Sequence, residues 1–193
     1  MQRFRAVKLF LCCAGLVLIG LPALLHAQNA TKIGTAFFSY LNHFQRDSLA
    51  QLLTSDFVLK RNYVAVQTDR KSFLTDYFDY SQNLEGQFIP IQPKADSLTY
   101  TTFVKDHSIY FTCLSIKEPT WKFTLLIRND SVAGIKVDSV NSYQDYLKET
   151  TQKEQLFMAW LNKAYPSENW DQLYQTNGLL VKRLKQYAKQ RDK

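Results

Sequence analysis

The segment Phe37 to Phe57, FFSYLNHFQRDSLAQLLTSDF, admits few arrangements: one amphipathic helix, a polar break, a second short helix and the entry to a strand. Ile33, Ala36, Phe37, Tyr40, Leu41 and Phe44 fall at i, i+3, i+4, i+7, i+8 and i+11, the stripe of a helix packed on one side. Ser48 followed by Gln51 has the spacing of a capping box, and Leu49, Leu52 and Leu53 then supply an apolar face for a short second helix.

Downstream, Phe57 to Val66 reads as one or two short strands, and Thr68 or Asp69 can cap a third helix bearing Phe73, Leu74, Tyr77 and Phe78, ended by Glu85-Gly86. From Gln87 to Val140 the period changes to two. Leu98, Tyr100, Thr102 and Val104 alternate with polar partners, then Ile109, Phe111 and Cys113, then Trp121, Phe123, Leu125 and Ile127. Asp106-His107, Glu118-Pro119-Thr120 and Asn129-Asp130-Ser131 separate these runs, so the segment is expected to be an antiparallel meander with one buried face. After Ser142 helical spacing returns in Tyr143, Tyr146, Leu147, Phe157, Trp160, Leu161 and Ala164, stopped near Pro166. Ser167 can cap a short helix with Trp170, Leu173 and Tyr174; beyond a stop at Gly178, Leu180, Val181, Leu184, Tyr187 and Ala188 stripe a last helix whose other face is Lys182, Arg183, Lys185 and Lys189. With no Gly/Ser linker between them, tail and body are expected to pack together.

The first 27 residues read as a secretory signal: a basic start (Arg3, Arg5, Lys8), an apolar run from Leu9 to Leu25, and a cleavage site after Ala27 that leaves 166 residues. The expectation is export to the periplasm or beyond, with retention as an N-terminal membrane anchor as the alternative. Cys12 and Cys13 lack the preceding small residue that lipidation needs, and the mature chain keeps Cys113 alone, so an intrachain disulfide is excluded and an apolar core must stabilise the fold. The formal charge of +7 is unevenly spread: residues 28–178 hold 15 basic and 16 acidic residues, whereas residues 179–193 carry six basic residues against Asp192. Nucleic acid is not an expected partner, and any weak attraction to an anionic surface belongs to residues 179–193.

Two helices, a strand, a third helix and a four-stranded meander make an α+β order that resembles the nuclear transport factor 2-like superfamily, in the branch of ketosteroid isomerase and the polyketide cyclases. The residues that carry the likeness are Phe37 to Leu41 with Asn42, Asp47-Ser48-Leu49, Leu52 to Asp56, and the Trp121 to Ile127 strand, within a span of about 28–142. The resemblance implies helices one to three packed on a curved, mostly antiparallel sheet, a cone with an apolar pocket at its open end, and residues 143–193 as a helical extension. Relatives of this fold bind small molecules, dimerise or dock peptides, and fold alone does not choose among these. In the isomerase branch a tyrosine on helix one donates to the developing oxyanion and an aspartate on the first strand moves the proton. Here those places fall to Phe37, which has no hydroxyl, and Arg61, which cannot accept a proton at neutral pH.

Remaining candidates are sparse. Tyr40 and His43, three apart on helix one, can pair as a phenol and a base, against the plainer assignment of Tyr40 to the core and His43 to the surface. Asp138 on the last strand would serve acid–base work if it faced the cone, although alternation with Ile135 and Val137 points it outward. Phe37, Tyr40, Phe111, Trp121 and Phe123 are the candidate pocket lining. Cys113 reads as a small core residue. Two mature histidines, with no H-E-x-x-H and no paired C-x-x-C, argue against a metal site. Glycines at Gly34, Gly86, Gly134 and Gly178 are too scattered for a phosphate loop, and G-x-S-x-G is absent. No cofactor is expected. Trp160, Tyr165, Trp170 and Tyr174 offer a partner surface, or simply core. Phe157, Trp160, Leu161, Asn162 and Lys182-Arg183 echo Phe37, Tyr40, Leu41, Asn42 and Lys60-Arg61, a coincidence of amphipathic helices or a truncated duplication. The reading is therefore a non-catalytic binding or interaction module, with a small hydrophobic ligand, a protein partner or a second copy as its occupant. The alternative is a cofactor-free lyase, isomerase or cyclase acting on a small hydrophobic carbonyl compound.

Overall fold

The computed structural model describes residues 27–176 and 178–192; apart from Ala27, the expected signal segment and its two cysteines lie outside them. Helix α1 (27–42) ends where Phe44 takes a left-handed φ of 54°, its ring edge-on to Phe78. That reversal sets the N-cap of α2 (Arg46–Leu52) at Gln45, three residues earlier than the expected cap. Ser48 consequently lies inside the helix, no side chain caps it, and Asp47 in the first turn supplies the favourable negative charge instead.

Strand β1 (Leu53–Arg61) follows directly, and β2 (Thr68–Asp69) pairs antiparallel with it. Asp69 caps α3 (Arg70–Ser72) by accepting from the Ser72 N–H at 2.7 Å, as expected. A π-helical turn, Phe73–Tyr77, continues into α4 (Phe78–Asn83), which ends at Leu84-Glu85 with the Gly86 N–H donating to the Ser81 carbonyl at 2.8 Å. Four strands complete the sheet: β3 (Gln87–Ala95), β4 (Thr99–His107), β5 (Thr120–Arg128) and β6 (Ser131–Ser139). Their order is β2-β1-β6-β5-β4-β3, with β1 parallel to β6 and every other pair antiparallel. Asn129 and Asp130, both at positive φ, make the tight β5–β6 turn.

The meander differs from expectation in one member. Ile109, Phe111 and Cys113 belong to helix α5 (Ile109–Leu114), and the fourth strand is β3. Alternation was uninformative here because Tyr110, Phe111, Cys113 and Leu114 are all buried, leaving no polar side to set the period. Pro90 and Pro93 disguise β3, yet an edge strand tolerates residues that cannot donate. Leu98, expected on the buried face of β4, sits exposed in the preceding turn, whereas Tyr100, Thr102 and Val104 are buried.

One core fills the space between α1 and the sheet, with Phe38 against Tyr100 and Phe123. Gly34 permits that approach: a Cβ there would lie 2.3–2.6 Å from three carbons of the Tyr100 ring. Gly34→Ala is expected to cost about 1–3 kcal/mol through displacement of that ring, measurable by urea unfolding; an unchanged midpoint would contradict this packing.

A second core joins α5 to the C-terminal helices α6 (Tyr143–Ala164), α7 (Trp170–Gln175) and α8 (Leu179–Arg191), through Tyr110, Phe111 and Leu114 on one side and Phe157, Leu161 and Leu184 on the other. Asn169, not Ser167, caps α7, in a capping box with Gln172. Arg183 is removed from the expected basic face. It is buried, donates Nε to Glu168 Oε2 at 2.7 Å and Nη1 to Gln186 Oε1 at 2.8 Å, and lies 3.5 Å over the Tyr165 ring. Lys182, Lys185 and Lys189 stay exposed. The internal echo pairs helix with helix at α1 and α6 and ends at the basic pair, since Lys60-Arg61 is on β1 and Lys182-Arg183 on α8.

Candidate functional site

Successive strand residues point to opposite faces, so β4 sends Tyr100, Thr102, Val104 and Asp106 inward. The first three are core. The fourth carries a carboxyl group to the open end of the cone, into a cavity of about 370 Å³. Tyr77 reaches this cavity from the π-helical turn, Tyr80 and Ser81 from α4, Phe88 from β3, Tyr110 and Phe111 from α5, and Tyr143, Tyr146 and Glu154 from α6. The C-terminal extension thus supplies one wall.

Asp106 Oδ2 accepts a hydrogen bond from Trp121 Nε1 at 3.2 Å on the adjacent strand; Oδ1 accepts none from the described residues. Burial pushes the Asp106 carboxyl up to about 7, with the Glu118 charge reinforcing the shift while the Trp121 hydrogen bond and His107 oppose it. Glu118 itself is held by Lys105 at 2.6 Å and by His107. Burial also raises the phenols of Tyr77, Tyr80 and Tyr110, and lifts Tyr146 to about 12, so all four stay neutral donors near pH 7. Tyr110 donates to Glu154 across the α5–α6 junction. The arrangement can hold a molecule among rings and exchange a proton with it at one carboxyl.

The sequence candidates are dispersed around this site. Phe37 is buried deep in the core, stacked 6.2 Å from Phe73, and Phe123 packs on Phe38 and Phe88. Tyr40 is half-buried at the core's edge, and His43 is exposed with Nδ1 2.8 Å from the Ser39 carbonyl. Asp138 is on the outer face of β6, opposite Lys122 and accepting from Asn62. Tyr40, His43 and Asp138 are not brought together, and none of them lines the cavity. Phe111 does line it, from a helix, and Trp121 touches Asp106 through its indole N–H. Arg61 faces inward from β1, its guanidinium 5.3 Å from the Tyr77 ring centroid and Nη1 3.2 Å from Thr68 Oγ1.

Asp106 escaped the sequence reading because Asp106-His107 reads as a turn. Extending the Tyr100, Thr102, Val104 alternation by two residues would have placed it inside. Tyr77, Tyr143 and Tyr146 carried only the signature of apolar helix faces, and their convergence is a product of the fold.

No protein-family model matches the chain, and no curated protein matches it in sequence. Solved structures do resemble it. A candidate ketosteroid isomerase from Kribbella flavida superposes with a TM-score of 0.50 at 14% identity, over 61% of this chain and 82% of its own. A candidate polyketide cyclase from Xanthomonas campestris gives 0.52 at 10% identity, over 65% and 98%. A protein from a soil-derived mobile gene cassette gives 0.51 at 9% identity, over 61% and 94%. Agreement in architecture at such low identity speaks to fold rather than to activity. The chain has the cone-like α+β fold of the nuclear transport factor 2-like proteins, in the structural company of ketosteroid isomerases and polyketide cyclases, with helices added at its C-terminal end.

Proposed function

We propose that the cone cavity binds a small organic molecule, with Asp106 as its hydrogen-bonding anchor. The observation that carries this reading is a carboxyl desolvated among aromatic rings with one oxygen lacking a protein donor. Placing such a group in an apolar cavity costs stability, and a bound partner offsets that cost. A neutral aromatic probe, 2-naphthol, is expected to bind and to quench tryptophan emission. Thr151→Trp, which fills the cavity rim from an exposed position on α6, should weaken that binding by at least tenfold. Equal binding to both proteins would sink the proposal.

Acid–base catalysis is the second reading, favoured by one specific feature: a carboxyl near pH 7 can both take and return a proton. It would make the chain a cofactor-free isomerase, cyclase or lyase in which Asp106 moves the proton and the neutral tyrosines donate to developing negative charge. Phe37 and Arg61 do not supply the isomerase pair. Infrared titration should reveal a protonated carboxyl band that disappears near pH 7 and is missing from Asp106→Asn; a band lost below pH 5 would exclude this role.

A further inference from the structure

The charge inside the cavity has one sign. Seven of its sixteen lining residues are aromatic, two carry carboxyl groups, Asp106 and Glu154, and none is lysine, arginine or histidine. Basic residues nearby are turned to other tasks. Lys105 and His107 bind Glu118, and Arg61 lies behind Tyr77 in an adjoining groove that shares Tyr77 and Tyr80 with the cavity, where it donates to Thr68. Asp106, Tyr146 and Glu154 line this one cavity, so the two carboxyl groups act on a common space. Ser81, only 6% exposed, is among the lining residues, and its buried hydroxyl has no hydrogen-bond partner among the described residues.

An anion in this space would meet two acids and no basic side chain in the lining. A neutral apolar molecule would fill the volume but leave the carboxyl oxygens uncompensated. A cation answers both demands at once, because carboxylates and the negative faces of tyrosine rings attract the same charge, and the attraction strengthens as water is excluded. We infer that the cavity's ligand is an organic cation, a protonated amine or quaternary ammonium, with its charge between Asp106 and Glu154 and its hydrocarbon part against the tyrosines. The inference rests on the cavity being a binding site and narrows the class of molecule that occupies it.

Calorimetric titrations with choline, benzyltrimethylammonium and 3,3-dimethylbutan-1-ol test it. The alcohol has the shape of choline with carbon in place of nitrogen, so only charge differs. Both cations are expected to bind at least tenfold more tightly than the alcohol, and the preference should largely vanish in Asp106→Asn combined with Glu154→Gln, with folding of the variant checked by circular dichroism. If the alcohol binds as well as choline, or if the preference survives in the double variant, the cation assignment is wrong. In either case continued, Thr151→Trp-sensitive binding of 2-naphthol would leave the cavity reading standing. If neither the cations nor 2-naphthol bind, both fall.

Discussion

Asp106→Asn is expected to stabilise the fold by about 2–4 kcal/mol at pH 8 and to change it little at pH 4. Burial raises the native carboxyl from its ordinary 3.8 to about 7, so the native state holds a proton that the unfolded chain has released across that interval. Stability contributed by the neutral carboxyl is complete below the unfolded value, declines as pH rises, and is gone above the folded value. The wild-type protein therefore carries the full penalty of a buried carboxylate at pH 8. Asparagine has nearly the same shape, stays neutral, and can still accept from the Trp121 N–H. Urea unfolding at the two pH values checks this: destabilisation at pH 8, or an equal change at both, would show that the carboxyl is not held in a desolvated site. A gain in stability with loss of cation binding would mark Asp106 as a residue kept for function at the expense of the fold.

Phe157→Ala is expected to cost about 3–5 kcal/mol. Phe157 is fully buried at the centre of the second core, with ring centroids 5.8 Å from Trp160, 5.7 Å from Trp170 and 5.5 Å from Tyr187. Truncation leaves a void that three large rings cannot close without shifting. Because Glu154 lies one helical turn before Phe157 and Tyr146 further along the same helix, loosening α6 should also weaken 2-naphthol binding at temperatures where the protein remains folded. Chemical denaturation with parallel probe titration measures both. Loss of stability with unaltered probe affinity would show that the α6 wall does not depend on this core.

Much of the scaffold was legible because it rests on local rules. The 3.6-residue stripe from Ile33 to Phe44, the Asp69 cap, the Glu85-Gly86 stop and the Asn129-Asp130 turn each report the backbone's own preferences. The misplaced elements failed where local signals vanish or conflict. Residues 109–114 are buried on all sides and carry no period, prolines mask an edge strand, and Ser48 lost its cap to a chain reversal set by packing of Phe44. Arg183 looked solvated because nothing in its neighbourhood foretells Glu168 folding back to meet it.

The site was less legible than the scaffold. Phe111 was a lining candidate and Trp121 proved to be the hydrogen-bond donor to Asp106, yet the carboxyl itself was read as part of a turn. What the amino-acid order determined by itself is the helical stripes of α1, α6 and α8, the alternation of β4 and β5 and the α+β order, since these follow from periodicity, while the cone and the places given to Phe37 and Arg61 are what the resemblance to the nuclear transport factor 2-like superfamily implies. What only the tertiary structure decided is that β4, the π-helical turn, α5 and α6 converge on one cavity, that Asp106 is desolvated there, and that no basic side chain enters. Burial and electrostatic environment are properties of neighbours far apart in the chain, and close packing alone brings those neighbours together.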